Sequence, residues 1–79
     1  EIFEMKNESR NFALVGYDKD NDVFDDLMLD TLDKCREVAE ILKPLIIKGR
    51  LISSCKETYD WLEIWDNNTE EQVEIIDLY

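Results

Sequence analysis

The sequence contains no histidine among its 79 residues. Histidine is the commonest general base and the commonest transition-metal ligand, so its absence excludes histidine-dependent catalysis and leaves no imidazole to activate a cysteine. The two cysteines, Cys35 and Cys55, are too few for a disulfide framework. Two reduced thiols are the favoured interpretation, and a single internal bridge is the alternative.

Glycine and proline are also scarce, with Gly16, Gly49 and Pro44 as the only examples. A glycine-rich phosphate-binding loop is therefore excluded. With 44% hydrophobic residues, the composition is typical of one folded domain, 1–79, with a small core. No apolar run approaches the roughly 18 residues that cross a bilayer, and the first residues lack a signal-peptide pattern, so we expect a cytoplasmic protein.

Basic residues are missing from the last 23 positions, which hold eight acidic side chains together with Tyr59, Trp61, Trp65 and Tyr79. Residues 1–30 carry a net charge of -6, residues 31–56 carry +3 and residues 57–79 carry -8, which together give -11. A field of this sign repels nucleic acid and anionic lipid and favours either a cationic partner or simple solubility. We therefore expect no direct nucleic-acid contact and no membrane contact.

The first half of the chain has the pattern of β-strands. Phe12 to Tyr17 is apolar and precedes turn-forming residues, and a hairpin with the apolar positions of Ile2 to Met5 is plausible. The polar run 18–22 predicts a turn, which leads into a further strand over Val23 to Leu29.

A helix is predicted to begin at Asp30, whose carboxylate would cap the first turn with Asp33 as its capping partner. Apolar residues then recur at helical spacing as far as Lys43, and Pro44 is expected to stop or kink the helix. Residues 45–52 are ambiguous. Their β-branched side chains suit a strand, whereas Pro44 and Gly49 suit the two ends of another short helix, which we favour.

The clearest predicted element is a hairpin of Tyr59 to Asp66 with Gln72 to Leu78. A four-residue loop is the better register, because a two-residue loop would mix core and solvent positions. It pairs residues on two faces: Ile64 with Val73 and Leu62 with Ile75 on one, and Trp65 with Gln72, Glu63 with Glu74 and Trp61 with Ile76 on the other. Tyr59 would join the tryptophans. In the alternative interpretation, the tryptophan face is the core and the helix packs on it.

The motif of Asp18, Asp20 and Asp22 resembles the start of a helix-loop-helix calcium loop. Its sixth position is Val23 where glycine is needed, and its twelfth is Leu29 where a bidentate glutamate is needed. A polar turn is the default. We expect no cofactor and no tight calcium or zinc site.

Together these patterns predict an α+β fold: an antiparallel sheet of four or five strands on one main helix, in the order β-β-β-α-β-β. With no catalytic constellation in the sequence, the leading hypothesis is a non-enzymatic module that binds a basic protein surface, such as that of a nucleic-acid-binding enzyme. The candidate contact residues are aromatic or acidic side chains of the second hairpin: Trp61, Glu63, Trp65, Glu70, Glu71 and Glu74.

In general make-up the chain resembles small acidic proteins of phages and mobile elements that inhibit host nucleic-acid enzymes. This likeness is one of composition, and it transfers no role to any residue. It implies an inhibitor or nucleic-acid mimic. The alternative function is a homo-oligomeric accessory or structural protein, whose apolar sheet face pairs with itself while its acidity serves solubility.

Overall fold

The structure, a computed structural model, describes residues 10–79. These residues form an α+β fold in which one helix covers one face of a four-stranded antiparallel sheet. The elements are β1 (Phe12–Asp18), β2 (Val23–Leu29), α1 (Leu32–Ile47), β3 (Trp61–Asp66) and β4 (Glu71–Asp77). The strands lie in the order β2-β1-β3-β4, so β1 and β3 are central and β2 and β4 are the edges.

The predicted α+β class and the strands at Phe12 to Tyr17 and Val23 to Leu29 are confirmed. The predicted strand at Ile2 to Met5 lies outside the described residues. Within residues 10–79 the element order is therefore β-β-α-β-β, with four strands instead of the five that the full predicted order contains.

The predicted start of the helix at Asp30 is wrong by one residue. The N-cap is Thr31, whose backbone is extended and whose hydroxyl accepts a hydrogen bond from the Lys34 amide at 3.0 Å. The carbonyl of Thr31 accepts the first helical bond, from the Cys35 amide at 3.1 Å. Threonine caps a helix in the same way as aspartate, and two neighbouring capping residues made the sequence pattern ambiguous at this point.

Of the predicted effects of Pro44, a stop is wrong: the helix continues through Pro44 to Ile47. Proline removes one helical hydrogen bond at a cost of about 3 kcal/mol. That cost is offset because the next turn buries Ile46, whose exposure is only 1%, and burying such a side chain contributes about 1.5 to 3 kcal/mol. Residues 45–52 are thus neither a strand nor a separate helix.

Gly49 ends the helix instead. Its φ of 73° is in the left-handed region that glycine adopts without strain. The amide of Arg50 donates to the Leu45 carbonyl at 2.8 Å and the Gly49 amide donates to the Ile46 carbonyl at 3.0 Å, which is the Schellman pattern. The predicted role of Gly49 as a terminator is confirmed.

The hydrophobic core lies between α1 and one face of the sheet. The sheet contributes buried aliphatic side chains, and the helix contributes small or β-branched ones that let it approach closely. The central members of this core are Leu14, Leu62 and Ile64 from the sheet and Cys35, Ala39 and Ile46 from the helix. The interpretation with the helix packed on the tryptophans is therefore wrong.

The second hairpin is confirmed, but only part of its predicted register is right. A four-residue turn connects the strands, and Trp65 pairs with Gln72 as expected. The register then shifts between Ile64 and Trp65, so that Ile64 faces Glu74 rather than Val73. A β-bulge of this kind places one extra residue on the edge strand.

The shift changes every predicted pair beyond Trp65, from Ile64 back to Trp61. Glu63 lies opposite Ile75, so the predicted contact between Glu63 and Glu74 is absent. Leu62 lies opposite Ile76, which moves Ile76 from the tryptophan face to the helix face. The bulge thus removes the like-charge pair that a regular ladder would contain.

Two carboxylates of the first hairpin hold the connection between α1 and β3. Asp18, only 1% exposed, accepts hydrogen bonds from the Ser53 hydroxyl and from the Asn21 side-chain amide, both at 2.8 Å. These donors, led by Asn21, hold the pKa of Asp18 below its ordinary value, although burial opposes them. Ser53 in turn accepts from the amides of Cys55 and Glu57, each at 3.2 Å.

Asp25 binds the same connection at a second point. One of its oxygens accepts from the Tyr59 hydroxyl at 2.7 Å and from the Ser54 amide at 2.9 Å. The Tyr59 bond is the larger cause that lowers the pKa of Asp25. Burial, assisted by Asp25, raises the pKa of Tyr59, so the phenol stays protonated and donates.

Tyr59 also packs directly against the backbone of Gly16. A Cβ atom at position 16 would lie 2.8 Å from two atoms of the Tyr59 ring, closer than real Cβ atoms approach other atoms. Position 16 therefore has no room for a Cβ atom. The backbone conformation does not itself require glycine there, because Gly16 is not among the positive-φ residues of the described chain.

We predict that Gly16→Ala lowers the free energy of unfolding by about 1 to 3 kcal/mol, because the methyl group must displace the Tyr59 ring. Urea titration followed by tryptophan fluorescence measures the effect. The same substitution in a Tyr59→Phe background is the control, since that change keeps the ring and removes only the hydroxyl. An unchanged urea midpoint in Gly16→Ala would contradict the close contact.

We predict that Tyr59→Phe destabilises the domain by about 1 kcal/mol at neutral pH, because Asp25 loses a hydrogen bond to its charged form. A lowered carboxylate pKa stabilises the fold above its unfolded value, near 3.8, and that stabilisation is lost as pH falls through the folded value. The difference between the wild type and the variant should therefore be full at pH 6 and shrink below about pH 4. Urea midpoints measured from pH 2.5 to 7 test this; a pH-independent difference would contradict it.

Candidate functional site

The sheet face that points away from α1 is open to solvent among the described residues. Strand pairing aligns its side chains in three rows that each cross all four strands. The rows, each given from β2 to β4, are Phe24, Tyr17, Trp61 and Asp77; Asp26, Val15, Glu63 and Ile75; and Met28, Ala13, Trp65 and Gln72. We call this surface the open face.

The first three residues of the first row, Phe24, Tyr17 and Trp61, form a continuous strip of aromatic side chains, which we call the aromatic strip. The Tyr17 ring centroid lies 4.5 Å from that of Phe24 and 4.7 Å from that of Trp61, and both pairs are tilted. Such distances are favourable for aromatic pairs. Phe24 remains 57% exposed at the edge of the sheet, so the strip presents aromatic surface to solvent.

Glu63 is at the centre of the open face and is held between two tryptophans. One carboxylate oxygen accepts from the Trp61 indole N–H at 2.7 Å, and the other accepts from the Trp65 indole N–H at 2.8 Å. Alternation along β3 places all three side chains on one face, with the glutamate between the indoles. The carboxylate therefore fixes both rings in position.

This carboxylate is only 7% exposed, and no salt bridge among residues 10–79 involves it. The salt bridges of residues 10–79 both involve Arg36, which contacts Asp33 and Glu74 on the helix side of the sheet. Neutral indole donors are the hydrogen-bond partners of Glu63, so its charge adds to the negative potential at the centre of the open face.

A groove of about 490 Å³ lies beside these residues. Its lining combines apolar side chains with acidic and amide side chains of the β3–β4 turn. The lining residues are Ala13, Val15, Phe24, Asp26, Met28, Trp65, Asp66, Asn67 and Glu70. Shallow apolar clefts with a few polar groups at their rim are the usual form of a recognition site.

The charge is distributed unevenly between the two layers of the fold. The four strands contain eight acidic residues and no lysine or arginine, whereas α1 contains three acidic and three basic residues. The net negative charge of the described residues therefore belongs mainly to the sheet. A potential of this asymmetry orients a cationic partner towards the sheet side.

The predicted contact residues divide between the two faces. Trp61, Glu63 and Trp65 meet on the open face, and Glu70 lines its groove. Glu74 lies on the helix side, where its carboxylate contacts Arg36 at 3.0 Å, and Glu71 begins β4 opposite Asp66. The structure therefore brings four of the six residues together.

One predicted contact residue has a structural role, and one sequence prediction for this face is corrected. Glu63 is only 7% exposed, and both of its oxygens accept hydrogen bonds from indoles. Tyr59 does not join the tryptophans, because β3 begins only at Trp61 and the Tyr59 ring packs on the helix side against Gly16. The prediction began the strand at Tyr59, two residues before β3, and so extended the alternation of side chains too far.

Sequence reasoning missed the contributions of β1 and β2 to the open face. These are chiefly Tyr17, Phe24, Asp26 and Met28. The sequence does show that Ala13, Val15 and Tyr17 occupy alternate positions and so share one face of their strand. This face could not be matched to the tryptophan face, because the pairing of β1 with β3 is a long-range contact that the hairpin patterns do not specify.

The aspartates of the β1–β2 turn have structural partners. Asp18 is buried against Ser53, and Asp22 accepts from the Tyr17 hydroxyl at 3.0 Å. Within residues 10–79, no group of three or more cysteine or acidic side chains is arranged to hold a metal ion. The expectation of no tight calcium or zinc site stays a prediction.

No helix of the described residues is long and apolar enough to cross a membrane. No protein-family model matches the chain, and no curated protein and no solved structure matches it.

We predict that Glu63→Gln lowers the free energy of unfolding by about 1 to 3 kcal/mol, because the amide nitrogen would place a donor against an indole donor. Urea titration measures this, and one of the two indole N–H signals in an NMR spectrum should move strongly. Glu71→Gln is the control, since Glu71 is exposed on the neighbouring strand. Equal midpoints for the two variants would contradict the proposed role of Glu63.

Proposed function

We propose that the protein is a non-enzymatic binding module whose open face contacts a basic protein surface. The observation that carries the proposal is the open face itself. It combines an exposed aromatic strip with the acids Asp26, Glu63 and Asp77, and none of its rows contains a lysine or arginine. Aromatic anchors within a charged surround are typical of protein-binding sites.

The two components of this surface have different roles in association. The net charge of -11 raises the rate of encounter with a cationic partner, and this contribution weakens with salt. The aromatic strip supplies the contact area that slows dissociation. Its rings are already held by Tyr17 and by Glu63, so little side-chain freedom is lost on binding.

A more specific form of the proposal is an inhibitor that occupies the nucleic-acid site of an enzyme. DNA carries one charge per about 1.7 Å of its axis, and the proteins that bind it present lysine and arginine. Carboxylates on a sheet without bases offer such a surface a substitute for phosphates. Three of the eight strand acids, Asp26, Glu63 and Asp77, lie on the open face, and they support this form together with the compositional resemblance to phage inhibitors.

The alternative, a homo-oligomeric accessory protein, is favoured by apolar side chains that remain exposed. Ile75 on the open face is 53% exposed, and Ile41 on the outer side of α1 is 63% exposed. Pairing two open faces would bring their acidic middle rows together, which costs electrostatic energy. We therefore rank this function second, and a measurement of mass in solution separates it from the first.

The proposal predicts a partner that depends on the open face. Phe24→Ala and Ile41→Ala are matched baits, because each removes one exposed apolar side chain from opposite sides of the fold. In affinity capture from a lysate of the source organism, we expect the wild type and Ile41→Ala to retain the same protein. Phe24→Ala should retain it about tenfold less well, as expected for loss of an aromatic anchor.

Salt provides the second readout of this experiment. The Debye length falls from about 10 Å at 0.1 M to about 3 Å at 1 M, so the association rate of the purified partner should fall steeply over that range. A partner lost by Ile41→Ala but kept by Phe24→Ala would place the interface on the helix side and refute the proposal. A stable dimer that buries Phe24 would support the accessory-protein alternative.

A further inference from the structure

We propose that the groove beside Trp65 binds an arginine side chain of the partner. The inference depends on the proposed function, because it specifies the chemistry by which the open face recognises a basic surface. Charge complementarity favours this occupant: among residues 10–79, the groove lining includes three acidic side chains and no basic one.

The acids at the rim differ in their availability. Asp66 uses one oxygen to accept from the backbone amides of Asn68 at 2.9 Å and Thr69 at 3.4 Å, which fixes the β3–β4 turn. Asp26 and Glu70 are exposed, and neither accepts a hydrogen bond from another residue of the described part of the chain. These two carboxylates are therefore available to a ligand.

The lining between these acids is apolar. Ala13 and Val15 are buried at its floor, and Met28 and Phe24 contribute side chains from β2. An arginine side chain matches this arrangement, because its methylene stem packs on apolar surface while its planar head reaches polar groups.

Trp65 makes arginine a better occupant than lysine. The indole N–H is bonded to Glu63, so the ring is held in place and cannot turn to use its N–H for a ligand. What remains for a cation is the ring surface, and guanidinium stacks on aromatic faces while also binding carboxylates through several donors. Glu63, hydrogen-bonded at the edge of the ring, adds negative potential near the groove.

The test is an NMR titration with three blocked peptides that share a glycine-serine sequence and carry arginine, lysine or citrulline at the centre. Citrulline has the shape of arginine without its charge. We expect the arginine peptide to shift the Trp65 indole signal and the amide signals of Ala13 and Val15. Its affinity should exceed that of the citrulline peptide about fivefold and that of the lysine peptide about threefold.

Two double variants test the position of the site. Asp26→Asn with Glu70→Gln should weaken arginine binding about fivefold, as expected for the loss of two exposed charge contacts. Glu37→Gln with Glu40→Gln is the control, because it changes the net charge equally on exposed positions of α1. Equal loss in both would show that only the overall charge matters and would overturn the inference.

Other outcomes also decide the matter. Equal affinities of the arginine and lysine peptides would overturn the arginine assignment in favour of a general cation site. Shifts of the same signals on dilution, without peptide, would show that a second copy of the chain occupies the groove. Failure of the arginine peptide while face-dependent capture persists would overturn this inference and leave the proposed function intact. Arginine binding without face-dependent capture would support the groove and refute the wider proposal.

Discussion

The contact between Tyr59 and Gly16 joins the connection after the helix to the centre of the sheet. Because position 16 has no side chain, the Tyr59 ring lies directly on the central strand β1, and its hydroxyl reaches Asp25 on β2. The ring is thus part of the core on the helix side of the sheet. The chain then enters β3 with Trp61 on the opposite side, so the two tryptophans are left on the open face.

The sequence patterns located most elements because they depend on neighbouring residues. The strands, the turn after Asp66 and the glycine at the helix end all follow from local chemistry. The errors arose where a tertiary contact prevailed over a local preference. The helix passes through Pro44 and buries Ile46 in the next turn, and β4 contains a bulge that separates Glu63 from Glu74.

The candidate site was predictable only in its β3 residues and in Glu70 of the turn that follows them. Trp61, Glu63 and Trp65 share a face by alternation alone, but the indole bonds that bury Glu63 require the folded geometry. The contributions of β1 and β2 depend on strand order. No pattern within either hairpin specifies that β1 pairs with β3, so the groove between Phe24 and Trp65 could not be inferred before the sheet was known.

The acidic residues of the chain therefore divide into two groups with different roles. Asp18, Asp25, Glu63 and Asp66 accept hydrogen bonds that hold loops, rings and turns in place, and they would be needed even in a protein without partners. A small core gives such bonds unusual weight, because little apolar area is available to fix long connections. Asp26 and Glu70, at the rim of the groove beside Trp65, accept no side-chain hydrogen bond within residues 10–79. Their position is the basis of the proposed recognition of a cationic partner.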